Sequence, residues 1–202
     1  MPAIQDRRSF LRDCTLIGAG VCAGIYAPSI IRRQPQATAA DQSSAAPGFE
    51  QRLIDLKIEL PPPSKPVATY VPAVITGNML YTAGHIPWLA DGKLQQGRVG
   101  ADLTLEQGAE AARLVGLHLL TTVRQTLGSL DRVVRLVKVL GIVNCTPDFT
   151  QQPKVINGFS ELMVQVFGEQ AGKGGRSAIG AGSLPSNVPV EVEAIFEVRT
   201  AS

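Results

Sequence analysis

The C-terminal segment Val190 to Val198 constrains the fold most, because it alternates between two kinds of side chain. Small and large apolar residues occupy every second position, and glutamates occupy three of the four positions between them. Successive side chains of a β-strand point to opposite faces, so this pattern predicts a strand with one face packed on helices. Glu191 and Glu193 then share the other face, about 7 Å apart along the strand. If that face is covered, burial raises the pKa of a carboxylate there and allows it to act as a base.

Two helices with apolar stripes are predicted to cover this strand. Thr104 and Gln107 form a capping box at the start of the first helix, 104–127, and Gly128 is a natural stop. Pro153 suits the first turn of the second. Its predicted buried stripe consists of Ile156, Phe159, Met163 and Phe167.

The remaining strands are predicted from valine-rich or alternating runs bounded by turn residues. The first two flank Gly77-Asn78, as in a hairpin. The expected strands before the C-terminal one are 71–76, 79–82, 93–99, 132–143 and 176–184. The order β-β-β-α-β-α-β-β predicts an α+β domain in which a mixed six-stranded sheet is covered by two helices.

The N-terminus has the features of a bacterial export signal. Arg7-Arg8 form a twin-arginine pair, an apolar stretch follows from Leu16 to Ile31, and Ala37-Thr38-Ala39 is a small-x-small cleavage site. We therefore expect residues 1–40 to be a twin-arginine signal peptide and the mature protein to be periplasmic or otherwise extracytoplasmic. No stable membrane insertion is expected after processing, because the stretch is short and rich in glycine.

The segment after the signal is expected to be a leader that precedes the folded domain. Residues 41–64 are rich in alanine, serine and proline, which favours a flexible chain stiffened at Pro61-Pro62-Pro63. The compact domain is then expected to span residues 65–202.

Charge and cysteine content exclude several classes of function. Residues 1–40 carry a net charge of +3 against +2 for the whole chain, which leaves −1 on the rest and argues against nucleic-acid binding. Cys145 is the one cysteine beyond the signal, and His85 and His118 are not at metal-ligand spacing. We expect no metal and no disulfide, and His118 is expected to pack or to lie at the surface.

One arginine is a candidate anion-binding residue. Arg176 follows Gly174-Gly175, which would let a small anion approach closely. The guanidinium is a planar fork of donors that matches a carboxylate, although an isolated arginine is also common as a surface charge.

Two separated motifs resemble those of the reactive intermediate deaminases, the Rid or YjgF-type family that is also labelled an endoribonuclease. The block from Gly77 to Pro87 is similar to the family's G-N-x-x-x-[ST]-[SA]-G-Q-I-P pattern. Arg176-Ser-Ala-Ile-Gly, Leu184-Pro185 and Val190-Glu-Val-Glu-Ala-Ile resemble its C-terminal signature. The resemblance runs from about Tyr70 to Val198, and the proline-rich entry resembles a less-studied branch.

The resemblance implies a fold, an assembly and a reaction. The family adopts a chorismate-mutase-like α+β fold, forms homotrimers with sites between subunits, and hydrolyses 2-imino or 2-enamino acids to 2-keto acids and ammonia without a cofactor. By this resemblance Arg176 would bind the substrate carboxylate with the N–H of Gly84, and Glu191 would activate water. Tyr70 and Asn157 match positions that line the cleft.

Three positions depart from the family pattern and leave alternatives open. Ala83 replaces a serine, Ala178 replaces a cysteine, and His85 replaces a glutamine. A deaminase is therefore one hypothesis, and a non-catalytic trimer that binds a small carboxylate is another. Ribonuclease activity is disfavoured by the mature charge and by the lack of a histidine pair suited to RNA cleavage.

Overall fold

The computed structural model describes residues 48–63 and 69–199. The predicted signal peptide and the first part of the predicted leader lie outside these residues. No helix within the described residues combines the length and the apolarity that crossing a membrane requires.

A five-stranded mixed sheet forms one layer of the fold. The strands are β1 (Ala73–Thr76), β2 (Met79–Thr82), β3 (Val133–Asn144), β4 (Gly175–Ala181) and β5 (Val190–Val198). Their order across the sheet is β1-β2-β5-β3-β4, and only β3 and β4 run parallel. The β5 and β2 bounds confirm the prediction, whereas β1 is shorter at its start and β4 ends at Ala181.

The sheet has five strands within the described residues, so the prediction of six was wrong. The expected strand 93–99 forms only isolated bridges, between Trp88 and Leu94 and from Val99 to Leu103 and Cys145. Gly97 has φ +127° and Gly100 has φ +90°, both in a region that leaves the extended path. The segment therefore crosses the end of the sheet as an irregular loop.

The first long helix, α2 (Leu105–Leu127), confirms its predicted ends. Thr104 Oγ1 accepts from the Gln107 N–H, and the Gln107 side chain accepts from the Thr104 N–H. Gly128 ends the helix in the left-handed conformation. Reciprocal capping and a glycine stop fix the length of α2 and hence the face it presents to the sheet.

The second long helix, α3 (Gln152–Gly172), packs beside α2 on the same face of the sheet. Its predicted stripe of Ile156, Phe159, Met163 and Phe167 is buried. The helix is interrupted at Gly168, where φ is +77°. The core lies between these two helices and the side chains of β3 and β5 that alternate inward.

A third, short helix corrects the predicted leader. Helix α1 (Phe49–Asp55) packs against the domain, with the Phe49 ring edge-on to Phe167 at 4.9 Å between centroids. Arg52 donates through Nε and Nη2 to the carbonyl of Gln165, which precedes the break in α3. The described part of the predicted flexible leader is thus folded onto the domain. The described residues form three α-helices, whereas two were predicted.

We predict that α1 contributes to the stability of the whole domain. Leu53 is 4% exposed within the core, whereas its neighbour Ile54 is 69% exposed. Leu53→Ala should lower the free energy of unfolding by about 2–5 kcal/mol, because it leaves a cavity in the core. Ile54→Ala, the matched control, should change it by less than about 0.5 kcal/mol. Urea unfolding measures both, and equal effects would show that α1 does not belong to the cooperative unit.

Candidate functional site

Arg176 lies on the edge strand β4 and is held by two polar side chains of α3. Its Nη1 donates to Asn157 Oδ1 at 2.9 Å and to Ser160 Oγ at 3.0 Å. Among the described residues no carboxylate lies within ion-pair distance of Arg176, and Nε and Nη2 have no protein acceptor. The guanidinium is therefore oriented by neutral groups and keeps donors for an anion.

An open groove runs beside Arg176 along the C-terminal half of α3. It encloses about 590 Å³, and its walls include Asn157, Ser160, Val164, Gln165 and Leu136 as well as Arg176. Lys173, which forms an ion pair with Glu169, lies at the same groove. A small carboxylate can reach the guanidinium here without displacing a protein group.

Glu191 lies at the opposite face of the sheet, with its carboxylate packed over Gly84. A Cβ built on Gly84 would overlap Glu191 Oε1, so only glycine allows this close approach. Burial raises the pKa of the Glu191 carboxyl, and the negative charge of Glu193 raises it further. A carboxylate that has a raised pKa and packs against the backbone of a glycine is suited to accept a proton.

The loop after β2 brings Gly84 to this position. The His85 N–H donates to the Val192 carbonyl at 2.8 Å, and the Val192 N–H donates to the His85 carbonyl at 3.0 Å. Ala83 donates its N–H to the Pro72 carbonyl. The loop is thus tied to β5 immediately beside Glu191.

Both histidines are buried beneath this loop. His85 is 7% exposed and His118 is 6% exposed, so of the two expectations for His118, packing or a surface position, the structure shows packing. Burial is the main cause of the lowered pKa of His85, and the nearby His118 lowers this pKa further. The hydrogen bond to the Ala83 carbonyl acts in the opposite direction. Burial also lowers the pKa of His118, opposed by its bond to the Trp88 carbonyl. Both ring nitrogens of His85 are hydrogen-bonded, whereas Nδ1 of His118, which lies at a groove between Trp88 and Pro61-Pro62-Pro63, has no partner within the described residues.

Within one chain the structure does not bring Arg176 and Glu191 together. Arg176 is opposite Val139 of β3, whose side chain is in the core between sheet and helices, whereas Glu191 is opposite Ile142 on the other face. The intervening strand and a three-residue offset imply about 14 Å between their Cα atoms. Asn157 and Ala178 belong to the Arg176 half, and Gly84 belongs to the Glu191 half.

The other predicted site residues are distributed between these halves. Ala178 lies two residues beyond Arg176 on the same face, half-buried against the core and opposite Gly141. Ala83 precedes Gly84, and its carbonyl accepts from the His85 ring. Tyr70 is largely exposed just before β1, and no hydrogen bond of its side chain occurs within the described residues. Sequence reasoning missed Ser160, although its position one turn after Asn157 on α3 was a usable signal.

The sheet face that carries Glu191 presents several apolar side chains beside its charged ones and is not covered by the described part of the chain. Ile179 is 49% exposed, Val74 51% and Tyr81 41%, and Leu140, Ile142 and Ile195 are half-buried beside them. Large exposed apolar surfaces of this kind mark interaction sites.

Comparison with a protein family model places this site in context. The model described as "YjgF/chorismate mutase-like, putative endoribonuclease" matches residues 50–196 of the chain. That range contains both halves of the site and all of helix α1 except Phe49.

Individual relatives match along most of their own length. The protein TCP17 of Trypanosoma cruzi is 41% identical over 144 residues, which is 71% of this chain and 90% of that protein. The crystal structure of a protein of unknown function from Agrobacterium tumefaciens is 38% identical, with a TM-score of 0.67 over 75% of this chain and 94% of that one. A Shewanella oneidensis structure named a putative endoribonuclease is 32% identical, with a TM-score of 0.72 over 75% and 100%.

We predict that Glu191 lowers stability at neutral pH. The pKa of the Glu191 carboxyl is raised in the folded state. The contribution of this group to stability is therefore fully present below the pKa of the unfolded state and is lost as the pH rises through the pKa of the folded state. Glu191→Gln should therefore be more stable than the wild type at neutral pH, and the difference should shrink in acid as the wild-type carboxyl becomes protonated. Thermal unfolding from acid to neutral pH measures this.

The control is Glu197→Gln, a glutamate on the same face of β5 whose Oε1 accepts from Asn78 at 3.3 Å. It should not gain stability at neutral pH. A Glu191→Gln protein that gains no stability there would contradict the prediction.

Proposed function

The chain belongs to the YjgF/chorismate mutase-like family, and we propose that it hydrolyses small 2-imino or 2-enamino acids to 2-keto acids and ammonia. The observation that carries this proposal is Arg176, which Asn157 and Ser160 orient while two of its donor groups remain available. A substrate carboxylate satisfies that fork, because guanidinium and carboxylate pair in a bidentate geometry.

Glu191 supplies the proton transfer that imine hydrolysis requires. Its carboxylate takes a proton from water as the oxygen attacks the imine carbon, and the imine nitrogen must gain protons before it leaves. Glu191 returns that proton to the nitrogen, which gives a carbinolamine. Glu191 then passes the proton of the carbinolamine hydroxyl to the same nitrogen, so that the carbon–nitrogen bond breaks to give ammonia and a carbonyl. Burial and Glu193, which raise its pKa, make it a better base in its ionised form and a usable acid after it is protonated.

The proposal requires that the two halves of the site come from different copies of the chain. Arg176 lies on the helix face at the β4 edge, and Glu191 lies on the open face. If the β4 edge of one copy packs on the open face of the next, each contact joins two different surfaces, and such head-to-tail contacts form a ring when the rotation between copies closes. A homotrimer is our proposal for that ring, and it would cover the exposed apolar face.

Ala83 and Ala178 support a second candidate, a protein that binds a small carboxylate without turning it over. Neither residue offers a polar side chain to position water or stabilise an intermediate. Arg176 would serve binding alone equally well. Ribonuclease activity receives less support, since both histidines of the sequence are buried and hydrogen-bonded to loop or helix groups.

Ammonia release from freshly generated 2-iminobutanoate is the direct test. Arg176→Ala should reduce kcat/KM by about 30-fold or more, because truncating one partner of a hydrogen-bonded charge pair costs about 2–5 kcal/mol. Lys57→Ala, which removes an exposed charge at the end of α1, should behave as the wild type.

Three results are informative. Turnover by the wild type that Arg176→Ala does not reduce would contradict the assigned site. Binding of 2-ketobutyrate without turnover would favour the second candidate. Cleavage of single-stranded RNA by a nuclease-free preparation, lost in Arg176→Ala, would replace both.

Mixed assemblies test where the two halves come from. Arg176→Ala and Glu191→Gln should each be inactive alone. When equal amounts are unfolded and refolded together, about one quarter of the sites should combine an intact arginine with an intact glutamate from the neighbouring copy. Activity should then recover to roughly a quarter of the wild-type value. No recovery from a mixture that does co-assemble would show that each copy supplies both residues.

A further inference from the structure

The buried His85 is bonded at both ring nitrogens and lies beside the residue that supports Glu191. Nδ1 is 2.8 Å from the Ala83 carbonyl, and Nε2 is 2.8 Å from Thr122 Oγ1 of α2. A carbonyl can only accept, so Nδ1 carries the proton and donates it. Nε2 then accepts from the Thr122 hydroxyl, and the neutral ring satisfies both bonds.

Gly84 is held between two residues that this imidazole fixes. The His85 ring donates to the carbonyl of Ala83, which precedes Gly84. The backbone of His85, which follows Gly84, pairs with the backbone of Val192. Because the Glu191 carboxylate packs over Gly84, a shift of the glycine changes the space and the water available to that carboxylate. His85 thus links the helix layer to a group on the far face of the sheet.

A second histidine bond secures the same loop one helical turn away. His118 Nε2 donates to the Trp88 carbonyl at 2.9 Å, and His118 precedes Thr122 by four residues on α2. Residues four apart lie on one face of a helix. Helix α2 therefore holds the loop after β2 at two points, at His85 and at Trp88.

We propose that the His85–Thr122 hydrogen bond is a positioning device that sets Gly84 against Glu191 and thereby sets the environment of the Glu191 carboxylate. This inference deepens the proposed function, because Glu191 is the proposed base. His85 touches neither water nor substrate in this scheme and acts only through the loop.

Thr122→Val tests the device with little change in side-chain shape. It removes the hydroxyl that Nε2 needs, so the loop should loosen and water should reach Glu191. We expect the Glu191 pKa, followed by NMR with 13C-labelled glutamate, to fall toward the ordinary value. We also expect the His85 and Val192 amides to exchange at least about 5-fold faster, as loss of a buried hydrogen bond implies.

Thr126→Val is the matched control, since it makes the same change on the same helix. Thr126 Oγ1 bonds only to the Thr122 carbonyl of its own helix, at 2.8 Å. Its Glu191 titration and its amide exchange at His85 and Val192 should equal those of the wild type. If Thr122→Val matches this control in both measurements, the proposal is overturned.

His85→Asn provides an independent variant in case Thr122→Val does not fold. The asparagine amide can take the place of Nδ1 and donate to Ala83 but cannot reach Thr122. It should change the Glu191 titration as Thr122→Val does, and the double variant should add little, because both remove one interaction. Additive effects, or an unchanged titration in a folded His85→Asn, would overturn the proposal.

These measurements do not depend on turnover, so the proposed function can fail separately. If the wild type hydrolyses 2-iminobutanoate, Thr122→Val should also lower kcat by about 10-fold or more through misplacement of Glu191. If the wild type does not hydrolyse it, the deaminase proposal fails while the titration and exchange still decide the role of His85.

Discussion

Strand β5 is hydrogen-bonded on both of its edges, to β2 on one side and to β3 on the other. It joins the hairpin of β1 and β2 to β3 and β4. Because paired residues of neighbouring strands point to the same face, the alternation along β5 also determines which side chains of β2 and β3 face the helices. Val190, Val192 and Phe196 enter the core, which leaves Glu191 and Glu193 on the uncovered face. The His85 backbone pairs with this same strand, so the candidate base and the loop that packs on it share one support.

Local signals predicted much of this fold because they act within a few residues. The capping box of Thr104 and Gln107, the glycine after α2 and the buried stripe of α3 are visible in short windows of sequence. Helix α1 was missed because its supports are distant. Arg52 bonds to a carbonyl 113 residues away, which lies just before the interruption of α3 at Gly168. The predicted strand 93–99 failed because the conformation of Gly97, with Gly100 just beyond it, overrode a weak apolar pattern.

The candidate site was predicted residue by residue, while its division between two faces was not. Alternation within a strand assigns faces relative to that strand alone. Whether Arg176 and Glu191 point the same way depends on the register of β4 and β5 against β3, which no short pattern encodes. The close approach of Gly84 to Glu191 likewise depends on long-range packing. Within one chain the structure groups Arg176 with Asn157 and Glu191 with Gly84, whereas the resemblance implied that Gly84 would help Arg176 to bind the carboxylate.

The burial of Glu191 is difficult to explain by stability alone. A carboxylate whose pKa is raised by burial and by Glu193 disfavours the folded state at neutral pH, and a glutamine would fill the same space without a charge. Arg176 has the complementary character, since it is an arginine held by neutral groups rather than paired with an acid. Within the described residues, each half of the site thus carries a charge that is not paired with an oppositely charged side chain. A carboxylate-bearing substrate and a proton-donating water would satisfy both at once, and for this reason we propose that the two halves are parts of one site.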